Sequence, residues 1–389
     1  MRLAIIRQRY TPYGGAERFV EAALEALLER GVAITLYTRQ WPNTRLQLIE
    51  PVLCNPFYIG RLWRDWSFAR AVCRAVAKKA PELVQSHERL LCCDIFRAGD
   101  GVHRAWLDER LRDASAFKRW RIERGFYHRY LLDVERRLFA SPWLRAVICN
   151  SKMVRDDLHE RFGLGVDKLP VIYNAVDSDM FSPELKQLRA EVRQKLGVPE
   201  SATVFLLVGS GYVRKGVATA IQALSQLPSD TYLFVVGRDK SRGRYRRLAQ
   251  QLGIARRVAL LGAQDDPKPF YGAADAFVLP TLYDPCPNAA LEAMACGLPI
   301  VTSTKCGAAE LVTEHDAGFV CEARDVDALA GHMMTLTDPE ACRLLGARAR
   351  EAVLPLTPAA MTLQLVLLYR DLIAAAAAAR DGEEKPAAL

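Results

Sequence analysis

The sequence lacks a CxxC pair anywhere among its ten cysteines. Zinc ribbons and thioredoxin-like redox sites need that spacing, so neither is expected. It also lacks the roughly 18 consecutive apolar residues of a spanning helix; Ala374–Ala379 is apolar over only six. The first seven residues carry Arg2 and Arg7 around a run too short for the ~7–15 apolar residues of a signal-peptide core. No secretory leader and no integral membrane protein are therefore expected. There is no GxGxxG fingerprint, no Walker A loop and no repeat of fixed period. No His, Cys, Asp or Glu set has metal-ligand spacing, so no metal is expected. The cysteines, in a chain too long to need staples, are read as buried free thiols in a reducing cytoplasm.

What is present is unevenly distributed. The chain has 389 residues, half of them hydrophobic and a quarter charged, which suits about two globular domains. Lys plus Arg is 53 against 45 Asp plus Glu. Residues 1–180 hold 30 basic and 22 acidic side chains, and the remainder holds 23 of each, so the whole +8 excess lies in the first half. All six tryptophans lie there too, the last being Trp143. A basic, Trp-rich half suits an anionic partner, either a lipid surface or a phosphorylated ligand, or is simply a solvated surface over an ordinary core.

Short apolar runs alternate with amphipathic stretches. Residues 2–7 and 32–37 read as strands around a helix at 16–30, which implies a parallel pair. Further strands are expected at 83–87 and 146–150, with Ser151 capping a helix over 152–162. Residues 90–98 fit a helix or a strand. After a crossover near 178–200, fully apolar strands at 203–208, 232–236, 258–261, 277–280, 299–302 and 318–320 alternate with helices. That pattern predicts buried parallel sheets flanked by helices, an α/β fold of two Rossmann-like units. The division is 1–180, 181–365, and a helix end with a frayed tail over 366–389.

Three places carry chemistry. Gly14 and Gly15 sit between a strand and a helix, where backbone amides can meet a phosphate. Gly209-Ser210-Gly211 precedes Arg214 and Lys215, a rigid fork beside a mobile point charge, suited to a diphosphate leaving group. Asp284 then lies eight residues before Glu292, with the amides of Asn288, Ala289, Ala290 and Leu291 between them at a helix start. Acids at the two ends can bind hydroxyls on either side of an anion.

These motifs, with Asn174–Asp177, resemble the retaining glycosyltransferases of family 4, which have two Rossmann-like domains facing a cleft (the GT-B fold). Within the family the similarity extends to bacterial lipopolysaccharide core glucosyltransferases acting on inner-core heptose. The resemblance implies a nucleotide-diphosphate sugar as donor, with glucose from UDP-glucose the expected case. It implies Arg214 and Lys215 on the diphosphate, Glu292 on ribose hydroxyls and Asp284 on the donor sugar, where most relatives have Glu. Gly15 would face the diphosphate from the other domain, and Arg238 is a neighbour of base or ribose. On the acceptor side, Asp100 corresponds to an acidic residue facing the acceptor, with His87 and His103 as alternatives. The cation pair replaces a divalent ion, so no cofactor is implied. No carboxylate suits a nucleophile below the sugar, which favours departure and attack on one face.

Residues 104–137 hold ten Arg or Lys, six Asp or Glu, and Trp106, Phe117, Trp120, Phe126, Tyr127 and Tyr130. This composition suits an interfacial segment on anionic lipid, or alternatively a packing element. The resulting expectation is a cytoplasmic enzyme peripherally bound at the inner membrane, with no nucleic-acid partner. A nucleotide-sugar epimerase, a transferase acting on another glycan or lipid, and a non-catalytic sugar-nucleotide or lipid binding protein are the other readings.

Overall fold

The computed structural model describes residues 1–9, 31–40, 51–112 and 114–381. The expected helix at 16–30, and Gly14 and Gly15 with it, lie outside the described residues. Two parallel six-stranded sheets form the frame. The first contains β1 (Arg2–Ile6), β2 (Ala33–Thr38), β3 (Pro51–Leu53), β4 (Leu83–Ser86), β5 (Ile95–Arg97) and β6 (Ala146–Ile148), ordered 3-2-1-4-5-6. The second contains β7 (Thr203–Val208), β8 (Thr231–Val236), β9 (Val258–Gly262), β10 (Ala276–Leu279), β11 (Ile300–Ser303) and β12 (Gly318–Cys321). Its order, 12-11-10-7-8-9, is the same arrangement. Each sheet therefore reverses direction once, between β1 and β4 and between β7 and β10. Crevices at the carboxyl ends of those strand pairs are where such sheets bind ligands.

The strands are apolar throughout because both faces are covered. In β7, Val204 to Leu207 are all fully buried, and so are Phe277 to Leu279 of β10. The helices Val217–Leu224 and Asn288–Ala295 pack onto this sheet with their small residues Ala220, Ala223, Ala290 and Ala293 inward. Strand β5 settles the ambiguity at 90–98, and the short β3 was not anticipated.

The basic segment 104–137 lies on three helices, His103–Leu111, Ala116–Glu123 and Phe126–Phe139, with Gly125 capping the last. The aromatics divide between outside and inside. Phe117, Trp120 and Phe126 are exposed, as are Phe57 and Ile59 just before the helix Gly60–Lys79 and Trp63 and Trp66 in its first two turns. Trp106 packs against the first core, and Tyr127 and Tyr130 line a cavity.

The expectation for the cysteines is corrected: Cys73 and Cys92 form a disulfide between the helix Gly60–Lys79 and the loop before β5. The other eight are free, seven buried and Cys342 partly so. A bridge across 19 residues of sequence depends on how helix and loop meet in space, which spacing cannot reveal. The expected helix end is the last part of the helix Pro358–Asp381, which returns to the first sheet. Met361, Leu365, Val366 and Tyr369 pack among Leu3, Ile5, Leu36 and Ile95, and the Tyr369 hydroxyl donates to Gln85 Oε1 at 2.6 Å. Residues 382–389 lie outside the described residues. Residues 339–376 satisfy the length and hydropathy of a membrane span (mean hydropathy 1.6), but they form two helices, and the second packs on the first core.

The two sheets meet through specific contacts. Glu310 accepts from the backbone amides of Lys152 and Met153 at 2.9 and 3.2 Å, so a side chain from one half caps a helix of the other. The Tyr283 hydroxyl accepts from Val102 N at 3.0 Å and donates to Asp157 at 3.1 Å. Gly101, at φ +65°, sits so close that a Cβ would lie 2.5 Å from the Tyr283 oxygen. The loop after β5 and the loop after β10 are thus pressed together.

Candidate active site

The second sheet's crevice assembles three of the expected residues. The chain leaves β7 through Gly209, whose Cβ would fall 2.5 Å from Lys215 Cε; the missing side chain is the path Lys215 takes. Gly216 adopts φ +70°, and a Cβ there would be 1.9 Å from the Pro280 carbonyl oxygen, so this turn requires glycine. The backbone of Arg214 is fixed from β10's side: its carbonyl accepts from Leu282 N and Thr281 Oγ1, each at 2.8 Å. Both cations are thereby aimed at the loop that carries Asp284.

Lys215 Nζ lies 2.5 Å from Asp284 Oδ2, and Arg214 Nη1 lies 3.0 Å from the same oxygen. The Asp284 and Lys215 side chains are each 8% exposed, while that of Arg214 is 38% exposed. Burial alone would raise the Asp284 carboxyl; the Lys215 ammonium and Arg214 guanidinium overcome this and hold it below its ordinary value. Its backbone is pinned as well, since Asp284 N donates to Lys305 O and Gly307 N donates to Asp284 O. The result is two cations sharing one carboxylate at the carboxyl edge of the sheet, with Arg214 partly open to solvent.

The helix Asn288–Ala295 starts four residues after Asp284. Glu292 is buried on it and accepts from the Tyr271 hydroxyl at 2.7 Å. Its being a solvated helix charge is therefore ruled out. The expectation for the helix amides is corrected: Ala290 N donates to Pro287 O at 2.9 Å, and Leu291 N is turned to the same oxygen at 3.5 Å. A tight first turn consumes them, leaving the amides of Asn288 and Ala289 as those able to meet an anion. Asn288 is positioned from the other half of the molecule. Arg97 Nη2 donates to Asn174 Oδ1 at 2.9 Å, and Asn174 Nδ2 donates to Asn288 Oδ1 at 2.7 Å and to Cys286 O at 3.0 Å. Arg97 ends β5, so this relay spans both sheets. Arg238 is exposed on the loop after β8, and its backbone amide donates to Ser210 Oγ at 3.1 Å, tying that loop to the glycine turn.

In the first sheet's crevice the expected residues separate. Asp100 is exposed and lines a cavity of about 180 Å³. His87 and His103 are not among the residues lining it. His87 follows β4 but is held neutral, its pKa pushed well down by burial and by Arg7 and Arg97. His103 stacks on His128, with Nε2 3.1 Å from Nδ1, and burial with Arg89 beside it pushes its pKa down to about 3. Glu88, the next residue after His87, was missed. It accepts from Gln8 N at 3.0 Å, and burial raises its carboxyl, with Arg7 opposing and Asp100 and Asp65 adding to the rise. Its position just past β4, at the strand-order reversal, was the available signal.

Comparison with known proteins shows which family the two halves belong to. The family described as Glycosyltransferase Family 4 matches residues 13–180, and the family described as Glycosyl transferases group 1 matches residues 189–352. This chain is a family 4 glycosyltransferase. It is 24% identical over 335 residues to the lipopolysaccharide glucosyltransferase WaaG of Escherichia coli K12, covering 82% of this chain and 85% of that one. It is 28% identical over 330 residues to the lipopolysaccharide core biosynthesis glycosyltransferase LpsE of Rhizobium meliloti, covering 82% and 84%. Among solved structures, WaaG superposes with a TM-score of 0.80 at 22% identity, over 93% of this chain and 98% of that one. Anabaena HepE, solved with UDP-glucose, superposes with a TM-score of 0.70 at 18% identity, over 95% and 100%. The two sheets are those of the GT-B fold.

Proposed function

We propose that this family 4 glycosyltransferase moves a hexose, glucose from UDP-glucose, with retention onto a heptose of the lipopolysaccharide inner core. The observation that carries the reading is the pair Arg214 and Lys215 converging on Asp284, ahead of the helix that buries Glu292. Two cations at a sheet edge suit a diphosphate, and the carboxylate they share holds them in place until the diphosphate arrives. In this reading Asp284 then turns to hydroxyls of the donor sugar and Glu292 to those of the ribose. The amides of Asn288 and Ala289 meet the phosphate side, and Arg238 neighbours the base.

In the transfer, the bond between the sugar anomeric carbon and the diphosphate oxygen breaks, and the diphosphate leaves with the electron pair. The acceptor hydroxyl oxygen bonds that carbon on the same face, and its proton passes to the departing diphosphate oxygen. Lys215 and Arg214 stabilise the charge that gathers there, a task a divalent ion performs in other transferases. Lys215 is buried, so its ammonium acts in a medium where each charge counts for more than in water. The names of WaaG and LpsE support the choice of acceptor.

The same reading places the enzyme on the cytoplasmic face of the inner membrane. Phe117, Trp120 and Phe126 are exposed within a basic segment, and Trp63 and Trp66 are exposed nearby in sequence to the cavity residues Arg64 and Asp65. Aromatic rings with basic residues between them suit the headgroup layer of an anionic bilayer.

The test is to screen UDP-, GDP- and ADP-sugars for binding, then to offer the best donor to truncated core oligosaccharides ending in heptose. Proton NMR of the product gives the anomeric configuration. A glucosylated heptose with the donor's configuration, formed in EDTA, is the expected result. Free sugar released or epimerised without any acceptor would support a different activity.

A further inference from the structure

Three hydrogen bonds link the end of β5 to the start of the helix Asn288–Ala295, and all of them pass through the Asn174 carboxamide. Each member of this chain stands on a fixed backbone. Arg97 is 4% exposed and closes the ladder between β5 and β6, opposite Ile148. Asn174 lies on the crossover between the two halves, and that crossover is held on both sides. Ile172 N donates to Cys149 O at 2.8 Å, and Val176 N donates to Leu356 O at 2.9 Å. Asn288 is the first residue of its helix, after Pro287 at φ −70°.

The contacts have a polarity. A guanidinium donates and has no lone pair to accept with. Arg97 Nη2, at 2.9 Å from Asn174 Oδ1, therefore decides which end of that carboxamide faces β5. The reversed amide would set N–H groups against a cation. Asn174 Nδ2 is left to donate to Asn288 Oδ1 at 2.7 Å and to Cys286 O at 3.0 Å, which uses both of its N–H groups. Asn288 is oriented in turn. Its Oδ1 is taken, and among the described residues nothing accepts from its Nδ2. Donor character thus passes from β5 through two carboxamides to the helix start, beside the backbone amides of Asn288 and Ala289. The bond to Cys286 O also fixes the far end of the loop that begins at Asp284, whose near end is tied to Lys305 and Gly307.

We propose that Arg97 is a positioning residue for transfer: acting through Asn174, it fixes the Asn288 carboxamide as a hydrogen-bond donor to the diphosphate of the sugar nucleotide. The proposal rests on the sugar-nucleotide reading and goes beyond it. It makes a residue of the first sheet set the geometry of an anion contact made by the second. Arg97 itself touches neither the donor nor the reacting atoms. Without it, both orientations of the Asn174 carboxamide are open, and one of them turns an acceptor toward Asn288 and the Cys286 carbonyl.

A double-mutant cycle tests the relay. Calorimetric titration with UDP, GDP and ADP first finds the diphosphate that the wild type binds most tightly. Arg97→Met and Asn174→Ala should each weaken that binding about tenfold, as expected for one hydrogen bond to a charged group. The double variant should also lose about tenfold, in place of the roughly hundredfold of two independent losses. The corresponding nucleoside, followed by saturation-transfer NMR, should bind all four proteins within about twofold, whereas damage to the whole crevice would weaken it as well. Thermal melts show which variants are folded at the assay temperature. Asn174→Ala, at a half-buried position, decides the matter by itself if Arg97→Met does not fold. Unchanged diphosphate affinity in Asn174→Ala would overturn the relay. So would a hundredfold loss in the double variant, or nucleoside binding that falls together with diphosphate binding. In each of those cases the sugar-nucleotide reading survives. A wild type that binds none of the three diphosphates would sink that reading, and the relay with it.

Discussion

Replacing Lys215 by alanine should separate two consequences of one contact. Lys215 Nζ is 2.5 Å from Asp284 Oδ2, with both side chains almost wholly buried. Removing one partner of a buried pair typically costs ~3–5 kcal/mol, because the other charge is left uncompensated. Here Arg214 still reaches the same oxygen at 3.0 Å, though its side chain is more than a third exposed and correspondingly screened. The net destabilisation should therefore be smaller, on the order of 1–2 kcal/mol, or a Tm lower by roughly 2–8 °C for units of this size. Catalysis should suffer more. Losing a preorganised charged donor at a leaving group costs about 10²–10³ in kcat, or ~3–4 kcal/mol. The pH dependence should change as well. Asp284 has a depressed folded-state pKa, so it contributes stability above its unfolded value of about 3.9, and that stability is lost as pH falls through the lower folded value. Without Lys215 the folded value rises toward the unfolded one, so less stability is lost on acidification and that loss is complete at a higher pH. Transfer of labelled glucose, calorimetric titration with UDP and thermal melts from pH 3 to 7 measure all three. A folded variant with kcat/KM within twofold of the wild type would refute the reasoning.

Other expectations follow from single contacts. Gly216→Ala should lower Tm and transfer together, because a Cβ would meet the Pro280 oxygen at 1.9 Å and the turn has φ +70°; a melt matching the wild type would contradict this. Thiol titration of the denatured, unreduced protein should count eight free thiols, and Cys92→Ser should lose up to ~3 kcal/mol of stability for a loop of this length. Ten titratable thiols would disprove the bridge. His87 and His103 both have depressed folded pKa values, so the unfolded chain takes up protons first as pH falls below about 6.5, and stability should drop on that side. His103→Gln should flatten the slope of Tm against pH between about 6.5 and 4, and an unchanged slope would remove His103 from the account. Flotation with vesicles should show binding that needs anionic lipid and that falls when Trp120 and Phe126 become serine. Equal binding to neutral vesicles would defeat the electrostatic part.

The second half of the molecule was the more legible in sequence, and the reason is burial. Thr203–Val208 is covered on both faces, so its residues are apolar without alternation, and the run marks the strand end to end. The glycines beside Arg214 and Lys215 were legible because a turn that brings two side chains to a sheet edge needs them. Strand β3 was missed because it has three residues and opens with Pro51, which carries no ladder donor. Residues 90–98 stayed ambiguous because β5 spans only three of them. The first crevice was harder still. Gln8, Asp65, Glu88 and Asp100 come from four places in the chain, and no local pattern joins them. The histidines drew attention as chemical types, but burial and nearby arginines keep them neutral. The first turn at Asn288 shows the same limit in miniature: sequence placed a helix start there, but which amides remain available depended on where the Pro287 carbonyl points.

The central claim is that a sugar-nucleotide diphosphate binds between Arg214, Lys215 and the helix beginning at Asn288. A crystal structure of the protein soaked with UDP-glucose tests it most directly. The account predicts diphosphate oxygens within hydrogen-bond distance of Lys215 Nζ and the Arg214 guanidinium, with Asp284 released from at least one of them and Glu292 at the ribose. A nucleotide bound elsewhere, with the Asp284–Lys215 contact intact, would contradict it.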